Sequence, residues 1–202
     1  VSKCFFVPKS SGGYRLVVDL KFVNRFFEVH KIKFENLGML RYAQQGLTFG
    51  AKVDLSDAYH HIKLHESLQP YFQFTINGEF FQCIAVPFGW CLTPFAYTKV
   101  MRPVITAMRN PRLPASQGYD GKLVTLTTIT AQYYVQIYID DILLLATTAE
   151  VHAKIIDALL DLLTSLGILY HPGKCELELT RSLDFLGMRL DIPNQRFLLT
   201  DK

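Results

Sequence analysis

Two apolar runs, Tyr133–Ile137 and Ile142–Ala146, are interrupted by the tetrapeptide Tyr138-Ile139-Asp140-Asp141. Short apolar runs around a turn predict a β-hairpin, here closed at the Asp-Asp pair. Phe5–Val7 and Tyr14–Leu20 read as a second pair of strands, joined by the polar, turn-prone Pro8-Lys9-Ser10-Ser11-Gly12-Gly13. Phe72–Ile76 and Glu79–Ala85 flank Asn77-Gly78, the strongest short-range hairpin signal in the chain. Residues 36–45 look helical, and a further helix is expected from Pro94 to Met108, with proline in its first turn. Thr147-Thr148-Ala149-Glu150 fits a capping box opening a helix that runs to Leu166, with Ile155, Leu159, Leu162, Leu163 and Leu166 as its buried stripe and Gly167 as its stop. Met188–Ile192 and Arg196–Leu199 read as strands around a Pro193-Asn194 turn. Between the helices, residues 109–131 are rich in breakers and read as a surface loop.

Composition adds bounds rather than identity. A chain of 202 residues with 50% hydrophobic residues can bury a proper core. No apolar run reaches the ~18 residues of a membrane span. The start, Val1-Ser2-Lys3, has neither an initiator Met nor a signal-peptide pattern, so an intracellular piece of a longer polypeptide is expected. Cys4, Cys83, Cys91 and Cys175 form no CxxC pair and are expected to be free thiols. The net charge of +3 does not by itself mark a nucleic-acid binder. Location says more: Lys3, Lys9, Arg15, Lys21, Arg25, Lys31 and Lys33 crowd the first part of the chain, where they can form an electropositive lobe for phosphates or an ordinary solvated surface.

The chemistry begins at the aspartates. Two adjacent carboxylates at the end of a buried hairpin repel each other unless a cation sits there. Ala51-Lys52-Val53-Asp54-Leu55-Ser56-Asp57-Ala58-Tyr59 reads as a strand running into a turn, with Asp54 near its end. If this strand lies beside the hairpin, Asp54 faces Asp140 and Asp141, and three carboxylates converge on hard ions such as Mg²⁺. Two such ions about 3.5–4 Å apart make the clamp used for in-line phosphoryl displacement. His60, His61 and His65 form a cluster, but strand alternation would separate the first two, and no acidic or Cys partner sits at ligand spacing.

Four segments, which follow the family's order along the chain, resemble the reverse transcriptases of retroelements. Tyr138-Ile139-Asp140-Asp141 is similar to their Tyr-x-Asp-Asp box, and Val53-Asp54-Leu55-Ser56-Asp57-Ala58-Tyr59 to their first aspartate motif. Pro87-Phe88-Gly89-Trp90, followed by Thr93-Pro94-Phe95, resembles the segment leading into the palm helix, and Phe185-Leu186-Gly187 the primer-grip hairpin. Phe88-Gly89 stands where retroviral enzymes usually carry Gln-Gly, a feature similar to gypsy-like LTR and DIRS-like elements.

The resemblance implies an α+β fold: a palm of antiparallel sheet backed by helices (51–202), with residues 109–131 as a loop insertion because the family usually joins these elements more briefly, preceded by a partial fingers portion (1–50). It implies RNA-directed DNA polymerisation on an RNA or DNA template, extending a primer with dNTPs and using two Mg²⁺ ions, with Mn²⁺ as a possible substitute. Asp54 and Asp140 would coordinate metal directly with the Leu55 carbonyl, and Asp141 less directly. Arg15 and Lys9 would bind the triphosphate, an arginine fork suiting phosphate oxygens, and Asp57 and Ala58 would offer it backbone N–H groups. Tyr59, five positions after Asp54, would be the gate that excludes a 2′-hydroxyl, with Phe88 and Gly89 beside the sugar. Lys174 in Pro172-Gly173-Lys174-Cys175 matches the lysine proposed to protonate leaving pyrophosphate. Further domains of a longer polyprotein are implied partners. Two alternatives stay open on the sequence: a fragment that only binds nucleic acid, and an RNA-templated RNA polymerase, against which Tyr59 argues.

Overall fold

The computed structural model describes residues 1–9, 12–43, 46–109 and 132–199. The expected inserted loop, apart from Arg109, and Ser10-Ser11 lie outside the described residues. Contacts divide the chain into two compact units that each draw on two stretches of sequence: 1–32 with 57–99, and 33–56 with 100–202. They cut across the expected division at residue 50.

In the first unit, β1 (Cys4–Pro8) and β2 (Tyr14–Val18) form an antiparallel hairpin. A second hairpin joins β4 (Gln73–Ile76) to β5 (Glu79–Gln82). Its two-residue turn, Asn77-Gly78, has positive φ at both positions (51° and 84°), the turn that Asn-Gly favours because its twist matches that of the strands. Val18, Leu20, Leu64, Phe72, Phe74, Val86 and Trp90 make this unit's core.

The second unit is built on a four-stranded antiparallel sheet in the order β6-β7-β3-β8. Its strands are β3 (Phe49–Asp54), β6 (Tyr133–Tyr138), β7 (Asp141–Ala146) and β8 (Glu176–Thr180). All five residues Ile142–Ala146 are buried, so the central strand shows a continuous apolar run instead of alternation. Leu143 and Leu145 join a cluster with Leu183, Phe185, Leu190 and Ile192, which come from β9 (Ser182–Phe185), β10 (Met188–Asp191) and the residue after it. The strand β11 (Arg196–Leu199) completes that three-stranded meander. The other face is covered by α2 (Ala149–Ser165), which presents buried Val151, Ile155, Leu159 and Leu163. The helix α1 (Thr93–Arg109) carries Pro94 at its start as expected, and Pro103 inside it. Antiparallel sheet backed by helices is thus the observed α+β architecture.

Several local expectations are corrected. Of the helix expected over 36–45, the described residues 36–43 make a six-residue 3-10 turn, Leu37–Tyr42, with Gly38 near its start lowering helix propensity. Leu166 is 53% exposed, because α2 ends before it and the chain reverses at Gly167 (φ 68°). The stripe uses His152 instead, 4% exposed, with its Nε2 at 3.0 Å from the Gly50 carbonyl. The cap of α2 is Thr148, whose hydroxyl accepts the Val151 N–H at 3.2 Å. Glu150 therefore lies within the first turn instead of closing a box from Thr147, and it pairs with Lys154. Thr148→Ala should cost about 1 kcal/mol and lower the melting temperature by roughly 2–4 °C for a chain of this size. Glu150→Gln, which loses only an exposed i,i+4 pair, should change it by far less. Equal effects in thermal melts of the two variants would restore the box.

Candidate functional site

The aspartates come together through sheet register. β3 and β7 pair antiparallel so that Asp54 stands directly opposite Asp141, and Tyr138 pairs with Asp141 across the hairpin. The turn is therefore Ile139-Asp140, and Asp141 already belongs to the strand. Ile139 has φ 53° while Asp140 stays out of the positive-φ region, the pattern of a type II′ turn. That position suits glycine; a β-branched residue there is strained and must be held by its surroundings.

Asp54 is fixed through its main chain. Its N–H donates to Cys175 Sγ at 3.4 Å, and its carbonyl accepts the His171 N–H at 2.8 Å. Leu55 N–H donates to the Asp140 carbonyl at 2.8 Å, tying the turn to the end of β3. Gly50, Lys52 and Asp54 share one face of β3 by alternation, and opposite them stand Leu145, Leu143 and Asp141. Two carboxylates thus face the same side at one sheet end.

Their charge is offset by the protein only in part. Burial, then the neighbouring Asp140 charge, pushes the Asp141 carboxyl up to about 6; Lys52 and Lys174 oppose the shift and Asp54 adds to it. Lys174 Nζ lies 3.9 Å from Asp54 Oδ1, a long ion pair with a half-exposed lysine. Lys52 is committed elsewhere: its ammonium is 2.9 Å from Glu176 and 3.3 Å from the Asp184 carbonyl. Burial works against the Lys52 charge, but Glu176 and then Asp141 and Asp54 outweigh it and raise its pKa.

The register brings Asp54 and Asp141 together and leaves Asp140 on the adjoining turn. Among the described residues no three His, Cys, Asp or Glu side chains form a group that could hold an ion. Asp140 is exposed on the turn and Asp141 half-buried on the strand, and mutual repulsion gives the three no reason to close up alone. The arrangement is a cross-strand pair with a third carboxylate beside it. Its donors are hard oxygens with excess negative charge, which fits a divalent cation of the Mg²⁺ type in kind.

Asp141→Asn tests the strain without any ion. Because the folded pKa is raised, the carboxylate destabilises the protein as pH climbs from the usual 3.8 to about 6, and fully so above that. The amide variant should be more stable at pH 7.5 in chelator by about 1 kcal/mol after allowing for solvent screening. The gain should vanish in urea titrations at pH 3.5. A gain that persists there would assign it to something other than the charge.

The first unit holds a basic and aromatic pocket of about 340 Å³ whose lining includes Lys9, Arg15, Asp57, His60 and Phe88. Arg15, on β2, lies over the Phe88 ring at 5.1 Å. Asp57 has a left-handed backbone (φ 45°, ψ 41°) and starts the 3-10 turn Ala58–His61 that carries half-buried Tyr59. Strand alternation therefore does not apply to His60 and His61. His61 Nδ1 is 3.2 Å from the Ala58 carbonyl, and His65 Nδ1 is 2.8 Å from Ser67 Oγ. The Tyr59 ring packs on Phe88 (5.0 Å) and edge-on to Tyr97 (5.4 Å). Gly89 has φ 90°, and a Cβ there would meet the Val18 carbonyl at 3.4 Å.

Phe185-Leu186-Gly187 forms the β9–β10 hairpin. Phe185 is buried, and Leu186 and Gly187 occupy the turn with φ 52° and 76°. Two residues were not singled out by sequence. Asn24 donates to the Gly89 carbonyl and accepts the Cys91 N–H, both at 2.9 Å. Glu35 accepts the Ile137 N–H at 3.0 Å and an Arg109 N–H at 2.6 Å. All four cysteines are free thiols, and among the described residues no helix is long and apolar enough to cross a membrane.

Known proteins are similar to this chain in sequence and fold. The chain is 27% identical over 194 residues to the putative enzymatic polyprotein of Cassava vein mosaic virus, covering 94% of this chain and 26% of that protein. It is 23% identical over 185 residues to the transposon Tf2-3 polyprotein of Schizosaccharomyces pombe (strain 972 / ATCC 24843), covering 92% of this chain and 12% of that one. The chain thus spans about a quarter or less of these relatives. Its fold matches the foamy viral protease-reverse transcriptase in complex with double-stranded DNA, with a TM-score of 0.78 at 20% identity over 98% of this chain and 30% of that one. The same viral protein in complex with an RNA/DNA hybrid matches with a TM-score of 0.74 at 20% identity, covering 98% of this chain and 23% of that one. The family model for reverse transcriptase (RNA-dependent DNA polymerase) matches residues 7–190. With paired aspartates at the sheet end and a match over most of its length, the chain belongs to the reverse transcriptase family.

Proposed function

We propose that this chain is the part of a longer polyprotein that extends a primer on an RNA or DNA template with dNTPs, inside the cell. The observation that carries the reading is the register placing Asp54 directly across from Asp141, beside the turn that bears Asp140. Residues 1–50 are read as the fingers portion and 51–202 as the palm.

In this reading Asp54 and Asp140 hold the metal ions together with the Leu55 carbonyl, and Asp141 tunes the charge beside them. Two Mg²⁺ ions, or Mn²⁺ in their place, would supply Lewis-acid stabilisation of the attacking and leaving oxygens. Arg15 and Lys9 bind the triphosphate, aided by backbone N–H groups of Asp57 and Ala58. Tyr59 fills the space a ribose 2′-hydroxyl would need, flanked by Phe88 and Gly89. Lys174 gives a proton to the leaving pyrophosphate, and Phe185-Leu186-Gly187 supports the primer end. The 3.9 Å approach of Lys174 to Asp54 supports a role for this lysine at the aspartates.

The test is primer extension by the polypeptide carrying this chain, on RNA and DNA templates with dNTPs and Mg²⁺. Extension on both templates is expected, with loss in chelator. Binding of the primer–template without extension would reduce the chain to a nucleic-acid-binding module. Extension with ribonucleotides alone would make it an RNA polymerase.

A further inference from the structure

Phe88 touches three of the groups around the basic pocket. The Arg15 guanidinium lies over its ring at 5.1 Å, the Tyr59 ring is 5.0 Å away, and the His60 ring meets it edge-on at 5.4 Å. Arg15 is itself exposed on β2, where a long flexible side chain samples many rotamers unless something holds it. An aromatic face provides that hold, because the ring quadrupole attracts a guanidinium and its plane matches the fork.

The ring is held in turn. Phe88 sits between Pro87 and Gly89, both of them tied down. Pro87 is buried and its carbonyl accepts the Thr93 hydroxyl at 2.7 Å. The Gly89 carbonyl accepts from the Asn24 amide, whose own oxygen accepts the Cys91 N–H, at 2.9 Å each. One amide side chain thus staples both sides of Trp90 and fixes the left-handed Gly89 that turns Phe88 toward Arg15 and Tyr59. Asn24 lies in the 3-10 turn Val23–Phe26, a few residues after the strand that carries Arg15, and clamp, ring and cation all belong to one packed body.

We propose that Phe88 is a positioning residue that sets nucleotide affinity through Arg15, with Asn24 as the clamp that presents it. The proposal rests on the reading of Arg15 as a triphosphate ligand. The ring parks the guanidinium with its N–H edge left available for phosphate oxygens, so the fork loses less freedom when a nucleotide arrives. Phe88 also braces Tyr59, so nucleotide affinity and sugar selectivity share one support.

Steady-state extension should show a roughly threefold to tenfold rise in KM for dNTP in Phe88→Leu, the range expected from losing a partly exposed cation–π contact, with kcat within twofold. Phe88→Tyr keeps the ring and should restore the wild-type KM. Asn24→Ala should reproduce the rise with Phe88 intact. The probe of the phosphate site is inorganic tripolyphosphate, whose inhibition constant should rise in step with KM. On an Arg15→Ala background, Phe88→Leu should add nothing, because the contact is already gone. Full additivity of the two substitutions, or a wild-type KM in Phe88→Leu, overturns the proposal while leaving Arg15 as a ligand. An unchanged KM and tripolyphosphate inhibition in Arg15→Ala alone overturns the triphosphate reading beneath it.

Discussion

Asp140→Asn is expected to abolish primer extension while the protein stays folded. Asp140 is exposed on its turn, and its carbonyl, which accepts the Leu55 N–H at 2.8 Å, is kept in the amide. The substitution also relieves the charge that adds to the raised Asp141 pKa, so the metal-free fold loses little. What goes is the negative oxygen that the proposed reading assigns to a cation. Each 1.36 kcal/mol of lost transition-state stabilisation is about tenfold in rate, and metal-based charge stabilisation supplies several kcal/mol, so the rate should fall by roughly a thousandfold or more. Single-turnover extension at saturating dNTP checks this, with circular dichroism and melting on the same preparation. A rate within tenfold of wild type, from a protein melting normally, would falsify the role given to Asp140. A thousandfold loss in a protein that no longer melts cooperatively would leave the fold, not the chemistry, as the cause. Asp54→Asn provides the control there, since the Asp54 main-chain bonds to Cys175 and His171 survive the change.

How much of this was legible in sequence follows from how local each signal is. Asn77-Gly78 demands φ > 0 at two adjacent positions, so its hairpin could be read from two letters. The apolar run after Asp141 marked a buried strand, because both of its faces are covered. The pairing of Asp54 with Asp141 was legible only as a condition: register is set by the packing of β3 and β7, which no stretch of either strand states. The cap of α2 was misread by one residue, since two threonines in a row both suit the position and only the chain's entry angle chooses. Residues 36–45 have apolar spacing without the length or caps to sustain a helix, and short 3-10 turns give no periodicity to detect.

Asn24, Glu35 and His152 were invisible for a different reason. Asn24 bonds to residues 65 and 67 positions away, and Glu35 to one 102 positions away. His152 is a polar residue in an otherwise apolar stripe, and its ring is buried against a carbonyl of a strand 102 residues earlier. Each satisfies backbone groups of a partner that exists only after folding, and local pattern carries no trace of that. The three carboxylates show the reverse. Their chemistry was plain from residue type and order, but the sequence could not tell a cross-strand pair with a neighbour from a closed cage, because the difference lies in side-chain placement under repulsion.

Tyr59→Ala should admit ribonucleotides without raising deoxynucleotide turnover. The half-buried ring stands on the 3-10 turn just after β3, against Phe88 at 5.0 Å and Tyr97 at 5.4 Å. If one side of it bounds the sugar, truncation to a methyl opens the volume a 2′-hydroxyl needs, and no hydrogen bond to the deoxynucleotide is lost. Discrimination should then fall by roughly a hundredfold, the ~3 kcal/mol scale of a steric exclusion at a packed site, while the deoxynucleotide rate changes by less than tenfold. The competing account makes the ring pure packing. Phe→Ala in a full core costs about 3–5 kcal/mol, and a half-buried ring with two aromatic neighbours should cost less, about 2 kcal/mol, with a melting temperature lower by roughly 4–8 °C. Both losses can occur together, so the deciding quantity is the ratio of deoxynucleotide to ribonucleotide incorporation, measured on the preparation whose melting is recorded. Tyr59→Phe sharpens the test: it keeps the ring and its contacts, and must keep the ratio. An unchanged ratio in a destabilised Tyr59→Ala protein makes the residue a wall of the core, and sugar selection must then come from other groups.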